Sequence, residues 1–277
     1  MGSSVIPGAF DAHFHLNPGE HGKEAVKRYK ASGGSGINLV NLPDYSIGYS
    51  DYYERRYEVT IQLADMARES GLKVSVTLGP YPLDYFFWEK GGFNAKQMML
   101  HGVELAAKYC RENRASALGE VGRPHFPVEY RVTEDSNEII ERCMQLSREI
   151  GCAVVLHTED LDPTGLEGIH TMIIRAGPNP RKVVKHHASP EFNRICPEIS
   201  RSILASRDNV RNAIRENIWN FMLESDYVDD PAKPDKVIPP DSVPKRAIMI
   251  REQYKNHEEI FASVFQELPE YVFSVQI

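Results

Sequence analysis

Two histidines separated by a single residue, His13 and His15, lie close behind an aspartate near the start of the chain. Alternate side chains of a β-strand point to the same face, so both imidazoles can reach one metal ion. Asp11 would share that face, where its carboxylate could fix the tautomer of an imidazole. The alternative is a strand with two partly buried histidines that bind nothing. The pair by itself is therefore compatible with a metal site but does not require one.

Side chains of the same chemical kind recur at the ends of later apolar segments. Glu120, His157 and Asp226 each end such a segment, and the pair His186-His187 ends another. A buried, unpaired carboxylate costs several kcal/mol, so Glu120 needs a cation or strong hydrogen-bond donors. Any one of these residues alone could be a satisfied polar group of the core. Together they predict a shared site.

Imidazoles and carboxylates without a thiolate suit zinc, manganese or magnesium. More than four ligands, with Glu120 able to bridge, suggest two divalent ions about 3.5–4 Å apart. Such a pair would activate a water molecule and stabilise charge on the phosphoryl or carbonyl oxygen that it attacks. Asp226 would bind a metal and accept the proton of that water. Glu120 and Asp226 are thus the predicted catalytic residues.

A scaffold must bring these segment ends together. Short β-branched runs alternate with longer amphipathic segments, a pattern typical of parallel strands covered by helices. We predict strands over residues 9–16, 37–42, 73–78, 115–121, 153–157, 183–187, 195–200 and 221–226. Eight strands close a barrel, and barrel enzymes carry their active sites at the carboxyl ends of the strands. We therefore expect a (β/α)8 TIM barrel that forms a single domain over residues 1–277.

Helices are predicted between the strands, over residues 52–70, 95–113, 135–150, 208–217 and 243–257. Asp135 and Glu138 form a capping-box pattern at the start of the third helix. Four arginines, Arg201, Arg207, Arg211 and Arg215, form either a nucleic-acid track or a solvated helix face. Four consecutive aromatic residues are predicted in the loop after the third strand: Tyr85, Phe86, Phe87 and Trp88. They either stack on bases or cover the pocket, or they pack over the barrel rim or at an oligomer contact.

The composition limits the class of protein. Hydrophobic residues make up 42% of the chain and charged residues 26%, with a net charge of −7, which argues against a broad basic surface for duplex binding. Four cysteines without CxxC spacing indicate free thiols in a reducing compartment. We see no signal peptide and no apolar segment long enough to span a membrane. A cytoplasmic protein without a membrane partner is expected, and its oligomeric state stays open.

The chain resembles the TatD family of metal-dependent hydrolases, part of the amidohydrolase-like barrels. The resemblance extends from DAHFHL at 11–16 to SDYVDDP at 225–231, through GEVG at 119–122, VVLHTED, HHASP at 186–190 and ESD at 224–226. It implies metal ligands at His13, His15, Glu120, His157, His186 and Asp226. The motif alignment favours His186 over His187, and an inward Lys185 would be awkward if His187 were the ligand. Family members are typically deoxyribonucleases, and a related branch deacylates D-aminoacyl-tRNA.

This chain departs from the family pattern around the ligands. Gly79-Pro-Tyr81-Pro82 replaces the usual Gly-x-His-Pro, Arg123-Pro124-His125 stands where an Asp is common, and Pro190 replaces a glycine. Arg123 and His125 follow Glu120 on the expected active face, so they are candidate binding residues for a substrate phosphate or carboxylate, or members of a surface salt bridge.

Three functions follow, and all of them keep the barrel. The first is hydrolysis of a phosphoester in a nucleic acid or a nucleotide by metal-activated water. The second is cleavage of a cyclic amide, lactone or aminoacyl ester, because the same ligands serve both chemistries and fold does not set substrate. The third is a non-catalytic, metal-stabilised binding barrel.

Overall fold

The computed structural model describes residues 8–189, 192, 196–215, 217, 219–228 and 238–277. Eight parallel strands lie side by side in chain order, and they are β1 Ala9–Phe14, β2 Gly34–Val40, β3 Lys73–Leu78, β4 Ala117–Gly122, β5 Ala153–His157, β6 Val183–Lys185, β7 Ser200–Leu204 and β8 Met222–Glu224. The last strand closes on the first, where His15 N donates to Tyr227 O at 2.9 Å and Asp226 N donates to His13 O at 3.0 Å. The predicted (β/α)8 barrel is confirmed.

Helices follow most strands and cover the outside of the barrel. They are α1 Glu20–Ala31, α2 Tyr52–Glu69, α3 Asp84–Lys90, α4 Ala95–Arg111, α5 Tyr130–Ile150, α6 Pro163–Ala176, α7 Arg207–Arg215, α8 Ser242–Gln253, α9 His257–Phe261 and α10 Leu268–Phe273. A π-helical segment, Ala262–Glu267, joins α9 to α10. Among the described residues, no helix is both long and apolar enough to cross a bilayer.

Two element predictions were wrong for identifiable reasons. The seventh strand, predicted over 195–200, begins at Ser200; Pro197 has no N–H for a ladder, and Ile199 N instead closes a turn on Cys196 O at 3.3 Å. Residue 195 lies outside the described residues. Asp135 does not cap a helix, because α5 begins at Tyr130. Its carboxylate accepts hydrogen bonds from Tyr85 Oη at 2.6 Å and pairs with Lys96 Nζ at 2.9 Å.

The aromatic run and the arginine series also differ from expectation. Residues 85–88 lie in α3 and not in a loop, with Tyr85 and Trp88 buried. Arg201 is buried in β7, so the four arginines do not form one track. Arg207, Arg211 and Arg215 remain together and exposed on α7.

The barrel interior is apolar at the end where the strands begin. Phe10, Ala12, Ala117, Ala153, Val155, Val184 and Met222 form an inner cluster with three residues of the C-terminal helix α10, Leu268, Val272 and Phe273. The rings of Phe10 and Phe273 are 6.1 Å apart, and both side chains are fully buried. Helix α10 therefore seals the amino-terminal end of the barrel, opposite the carboxyl ends of the strands.

Replacing Phe273 with alanine should lower the free energy of unfolding by about 3–5 kcal/mol, because it leaves a cavity where the buried ring packs against Phe10. The measurement is urea denaturation followed by circular dichroism. Ile174→Ala, on the exposed surface of α6, is the matched control and should change stability by no more than about 0.5 kcal/mol. Equal effects of the two substitutions would show that α10 does not stabilise the barrel.

Candidate metal centre at the carboxyl ends of the strands

The structure brings all six candidate ligands together at one end of the barrel. Three overlapping groups each place nitrogen and oxygen atoms within 4.8 Å of one another, an arrangement that could hold metal ions. These groups are His13 with His15 and Glu120, Glu120 with His157 and His186, and His13 with His186 and Asp226. His187 belongs to none of them and is exposed.

Glu120 lies at the centre of the cluster and is buried. Its Oε2 atom is 2.8 Å from His13 Nε2 and 3.4 Å from His186 Nε2, while Oε1 is 3.5 Å from His157 Nδ1. No described residue donates to Oε2 in hydrogen-bond geometry. The carboxylate thus faces imidazoles from three other strands, and each oxygen faces a different set of nitrogens.

Two of the imidazoles are held in a fixed orientation from behind. His15 Nδ1 is 2.9 Å from Val40 O, and His186 Nδ1 is 3.2 Å from Glu224 Oε1. Because a carbonyl and a carboxylate can only accept, each Nδ1 carries the hydrogen. When these imidazoles are neutral, the lone pair is therefore on Nε2. The Nε2 atom of His186 faces Glu120 Oε2, and the Nε2 atom of His15 faces Asp226 Oδ1 at 3.5 Å. Acceptors that face acceptors fit a cation between them.

The strands place these side chains in two ways. On β5, β6 and β8, strict alternation continues from the inner cluster to the site, from Val155 to His157, for example. On β1 the phase changes: Ala12 belongs to the inner cluster, yet His13 reaches Glu120, and the pairing with β2 is irregular between Asp11 and Phe14. Strand β4 has a similar irregularity between Gly119 and Val121, which turns Glu120 inward.

Gly122 allows β4 to lie against the end of β5. A Cβ atom on Gly122 would be 1.6 Å from His157 O, the oxygen that accepts a hydrogen bond from Arg123 N at 2.9 Å. A side chain at this position would push the backbone of His157 out of register.

We expect Gly122→Ala to lower the free energy of unfolding by roughly 3 kcal/mol, through overpacking against backbone. Gly168→Ala is the control, since its Cβ would meet nothing within 4 Å, and it should stabilise α6 by about 0.5–1 kcal/mol. Urea denaturation of both variants checks the prediction, and a neutral Gly122→Ala would refute the close approach.

The charges of the cluster depend on one another. Burial raises the pKa of Glu120, but the charges of His157, His13 and His186 outweigh it and hold that pKa well below its usual value. Burial lowers the pKa of His13, yet the Glu120 carboxylate raises it to about 9. In the same way His186 outweighs burial and brings the pKa of Glu224 to about 2. The ionised carboxylates therefore depend on positive charge next to them, and burial and the nearby His13 lower the pKa of His186.

Glu224 is a residue whose role the sequence left unassigned. Its buried carboxylate accepts hydrogen bonds from His187 N at 2.8 Å and from the Ser202 hydroxyl, besides facing His186. The sequence does contain a sign of this role: Glu224 lies two residues before Asp226, and alternate residues of a strand point to the same face. The prediction for Asp11 was wrong in detail: its carboxylate accepts from the backbone amides of His13 and Ser225 and not from an imidazole.

Lys185 is buried next to the site without replacing a ligand. Its ammonium group donates to His186 O at 2.6 Å and is 3.4 Å from Thr158 O. It therefore links the ends of β5 and β6 through the backbone.

A cavity of about 370 Å³ opens beside the cluster. It is lined by His125, His157, Thr158, Glu159, Asp160, His186, His187 and Asp226. Arg123 does not reach it as a free cation, because its guanidinium pairs with Glu159 at 3.0 Å and donates to Asn137 at 3.2 Å. Of the two candidate substrate-binding residues, His125 lines this cavity and Arg123 lies behind it.

The loop after β3 carries Tyr81 over the site. The Tyr81 ring meets the His157 ring edge-on, with centroids 5.2 Å apart. Asp84, fully buried at the start of α3, accepts from Tyr81 N at 3.1 Å and from the hydroxyls of Tyr45 and Tyr52. Burial raises the pKa of Asp84 to about 7. One buried carboxyl group thus anchors the loop.

Asp84 should make stability depend on pH. Its folded pKa exceeds its unfolded pKa, so the protonated form favours folding, and its contribution falls as pH rises from about 4 to about 7. Between pH 5.5 and 8 the wild-type protein should lose about 2 kcal/mol relative to Asp84→Asn, which cannot ionise. Urea titrations of both proteins at the two pH values give this difference. If the difference in unfolding free energy between the two proteins is the same at both pH values, Asp84 is ionised at both.

Comparisons with known proteins agree with this architecture. The family model described as TatD related DNase matches residues 10–274. An uncharacterized protein of Methanocaldococcus jannaschii is 30% identical over 279 residues and covers 96% of each chain.

Two solved structures share the fold at low sequence identity. A triple mutant of the organophosphorus hydrolase from Deinococcus radiodurans is 13% identical, with a TM-score of 0.66 over 97% of this chain and 94% of that chain. A TatD-like protein from Archaeoglobus fulgidus is 15% identical, with a TM-score of 0.60 over 95% of this chain and 99% of that chain.

Proposed function

Since the chain belongs to the TatD family of metal-dependent hydrolases, we propose that it hydrolyses phosphoester bonds with two divalent ions. The proposed ligands are His13, His15, Glu120, His157, His186 and Asp226. The observation that supports ions most directly is the pair of oriented imidazoles, His15 and His186, whose Nε2 lone pairs face carboxylates. Two ions are proposed because Glu120 belongs to two of the ligand groups.

When bound, divalent ions supply water of lowered pKa and a Lewis acid for the phosphoryl oxygen. The protein's own residues would orient the reaction. Asp226 lines the cavity with part of its carboxylate exposed, so it can accept the proton of the attacking water. His125 lines the same cavity and would contact the substrate. Zinc, manganese and magnesium all suit the nitrogen and oxygen donors.

The location is proposed to be cytoplasmic. All four cysteines are free and buried, and this arrangement fits a reducing compartment.

The decisive experiment combines metal analysis with a substrate panel. Chelator treatment should remove the metal and abolish hydrolysis of bis(p-nitrophenyl) phosphate, and zinc or manganese should restore it. Glu120→Gln should reduce kcat by about 100-fold or more, since even groups that only orient metal ligands are worth about 10–100-fold. Glu252→Gln, the same change on the exposed face of α8, should leave metal content and kcat unchanged.

Two results would contradict the proposal in different ways. Turnover of lactones, cyclic amides or aminoacyl esters with inert phosphodiesters would keep the metal-dependent hydrolase and reject the phosphoester substrate. Failure to bind zinc, manganese or magnesium would reject the metal centre.

A further inference from the structure

A second cavity adjoins the metal centre. It measures about 410 Å³ and is lined by Arg123, Pro124, His125, Phe126, Pro127, Val128, Thr133 and Glu159. His125 and Glu159 also line the first cavity, so the two spaces share a wall. The second cavity therefore lies directly across His125 and Glu159 from the first.

A row of aromatic rings connects the two spaces. His157 and His125 have ring centroids 5.8 Å apart, His125 and Phe126 are 5.7 Å apart, and Phe126 and Phe86 are 6.0 Å apart. The Phe126 and Phe86 rings are nearly parallel, at 27°. Phe126 is 44% exposed, although phenylalanine is usually buried. It is backed on one side by Phe86 and lines the cavity.

The charge in this second cavity is balanced. Glu159 holds the Arg123 guanidinium through Nε at 3.2 Å and a second nitrogen at 3.0 Å, and Asn137 accepts from it at 3.2 Å. A second phosphate group in this cavity would be repelled by the Glu159 carboxylate. Arg123 would not offset that repulsion, because its charge is already paired with Glu159. The remaining lining residues include Pro127, Val128 and Thr133, which suit an uncharged group.

We propose that the second cavity is a subsite for a planar, uncharged ring attached to the scissile phosphate, with Phe126 as its stacking platform. Offset stacking of two rings contributes about 0.5–1.5 kcal/mol beyond the burial of area. The inference rests on the proposed phosphoesterase function and assigns it a substrate class, phosphoesters with an aromatic substituent. An aryl group and a nucleobase share this chemistry.

Three phosphonates that cannot be hydrolysed test the subsite by calorimetry on the zinc-loaded or manganese-loaded full chain. Benzylphosphonate carries a planar ring, cyclohexylmethylphosphonate has a similar volume without planarity, and methylphosphonate has no ring. Benzylphosphonate should bind about tenfold more tightly than cyclohexylmethylphosphonate, the equivalent of about 1.4 kcal/mol. A fourth ligand, thymidine 5′-phosphonate, tells whether a nucleobase serves as well as an aryl group.

Phe126→Leu should abolish the preference for the planar ring, because leucine keeps an apolar side chain without an aromatic face. Phe93→Leu is the matched control, since Phe93 is 43% exposed and lines neither cavity. It should keep the tenfold preference. Both side chains are substantially exposed, so both variants should fold.

The outcomes separate the two proposals. Equal binding of the benzyl and cyclohexylmethyl compounds, or a preference that survives Phe126→Leu, would overturn the stacking subsite and leave the phosphoesterase intact. No binding of any phosphonate, methylphosphonate included, would overturn the phosphoester function and the subsite together.

Discussion

The site depends on one constraint: two imidazoles of fixed orientation direct their Nε2 lone pairs at carboxylates, His186 at the buried Glu120 and His15 at Asp226. The backbone oxygen of Val40 and the carboxylate of Glu224 fix the orientation of His15 and His186, so these rings cannot turn a donor toward the carboxylates while neutral. Positive charge must then enter the cluster as protons or as metal ions. The raised pKa of His13 reflects the same need, because a proton there partly compensates Glu120 and competes with any cation that binds.

Part of this site could be predicted from the sequence because some strands are regular. His157, His186 and Asp226 continue the alternation of their strands, so counting in steps of two puts them inside the barrel. Glu120 and His13 do not follow that rule. Their strands change phase at irregular pairings, and the change depends on neighbouring strands such as β5, whose backbone carbonyl at Val155 lies 2.4 Å from where a Cβ of Gly119 would stand. The residue type and the motif position predict Glu120, and alternation with His15 predicts only that the two histidines share a face.

The helical errors have a related cause. Asp135 and Glu138 have the spacing of a capping box, yet the Asp135 carboxylate binds Tyr85 and Lys96 instead. These two residues lie on other helices and are distant in sequence. The sequence predicts a loop for the aromatic residues of α3 because the helix is short. The helix is stabilised by packing of Trp88 against Tyr53, whose hydroxyl accepts a hydrogen bond from the indole at 3.0 Å. Local patterns predict elements well only where tertiary contacts agree with them.

Charge at the mouth of the barrel bears on the kind of substrate that the cluster meets. Three arginines near the carboxyl ends of the strands face carboxylates at 2.5–3.7 Å, in the pairs Arg56–Asp44, Arg123–Glu159 and Arg131–Glu89. These carboxylates largely neutralise the positive charge of the three arginines, and the chain as a whole has a net charge of −7. A long polyanion would gain little attraction from these arginines, because compensated pairs project a weak field beyond a Debye length of about 8–10 Å. Recognition would then rest on contacts close to the cluster, where a phosphoryl group meets bound cations and the adjoining cavity accepts an uncharged neighbour.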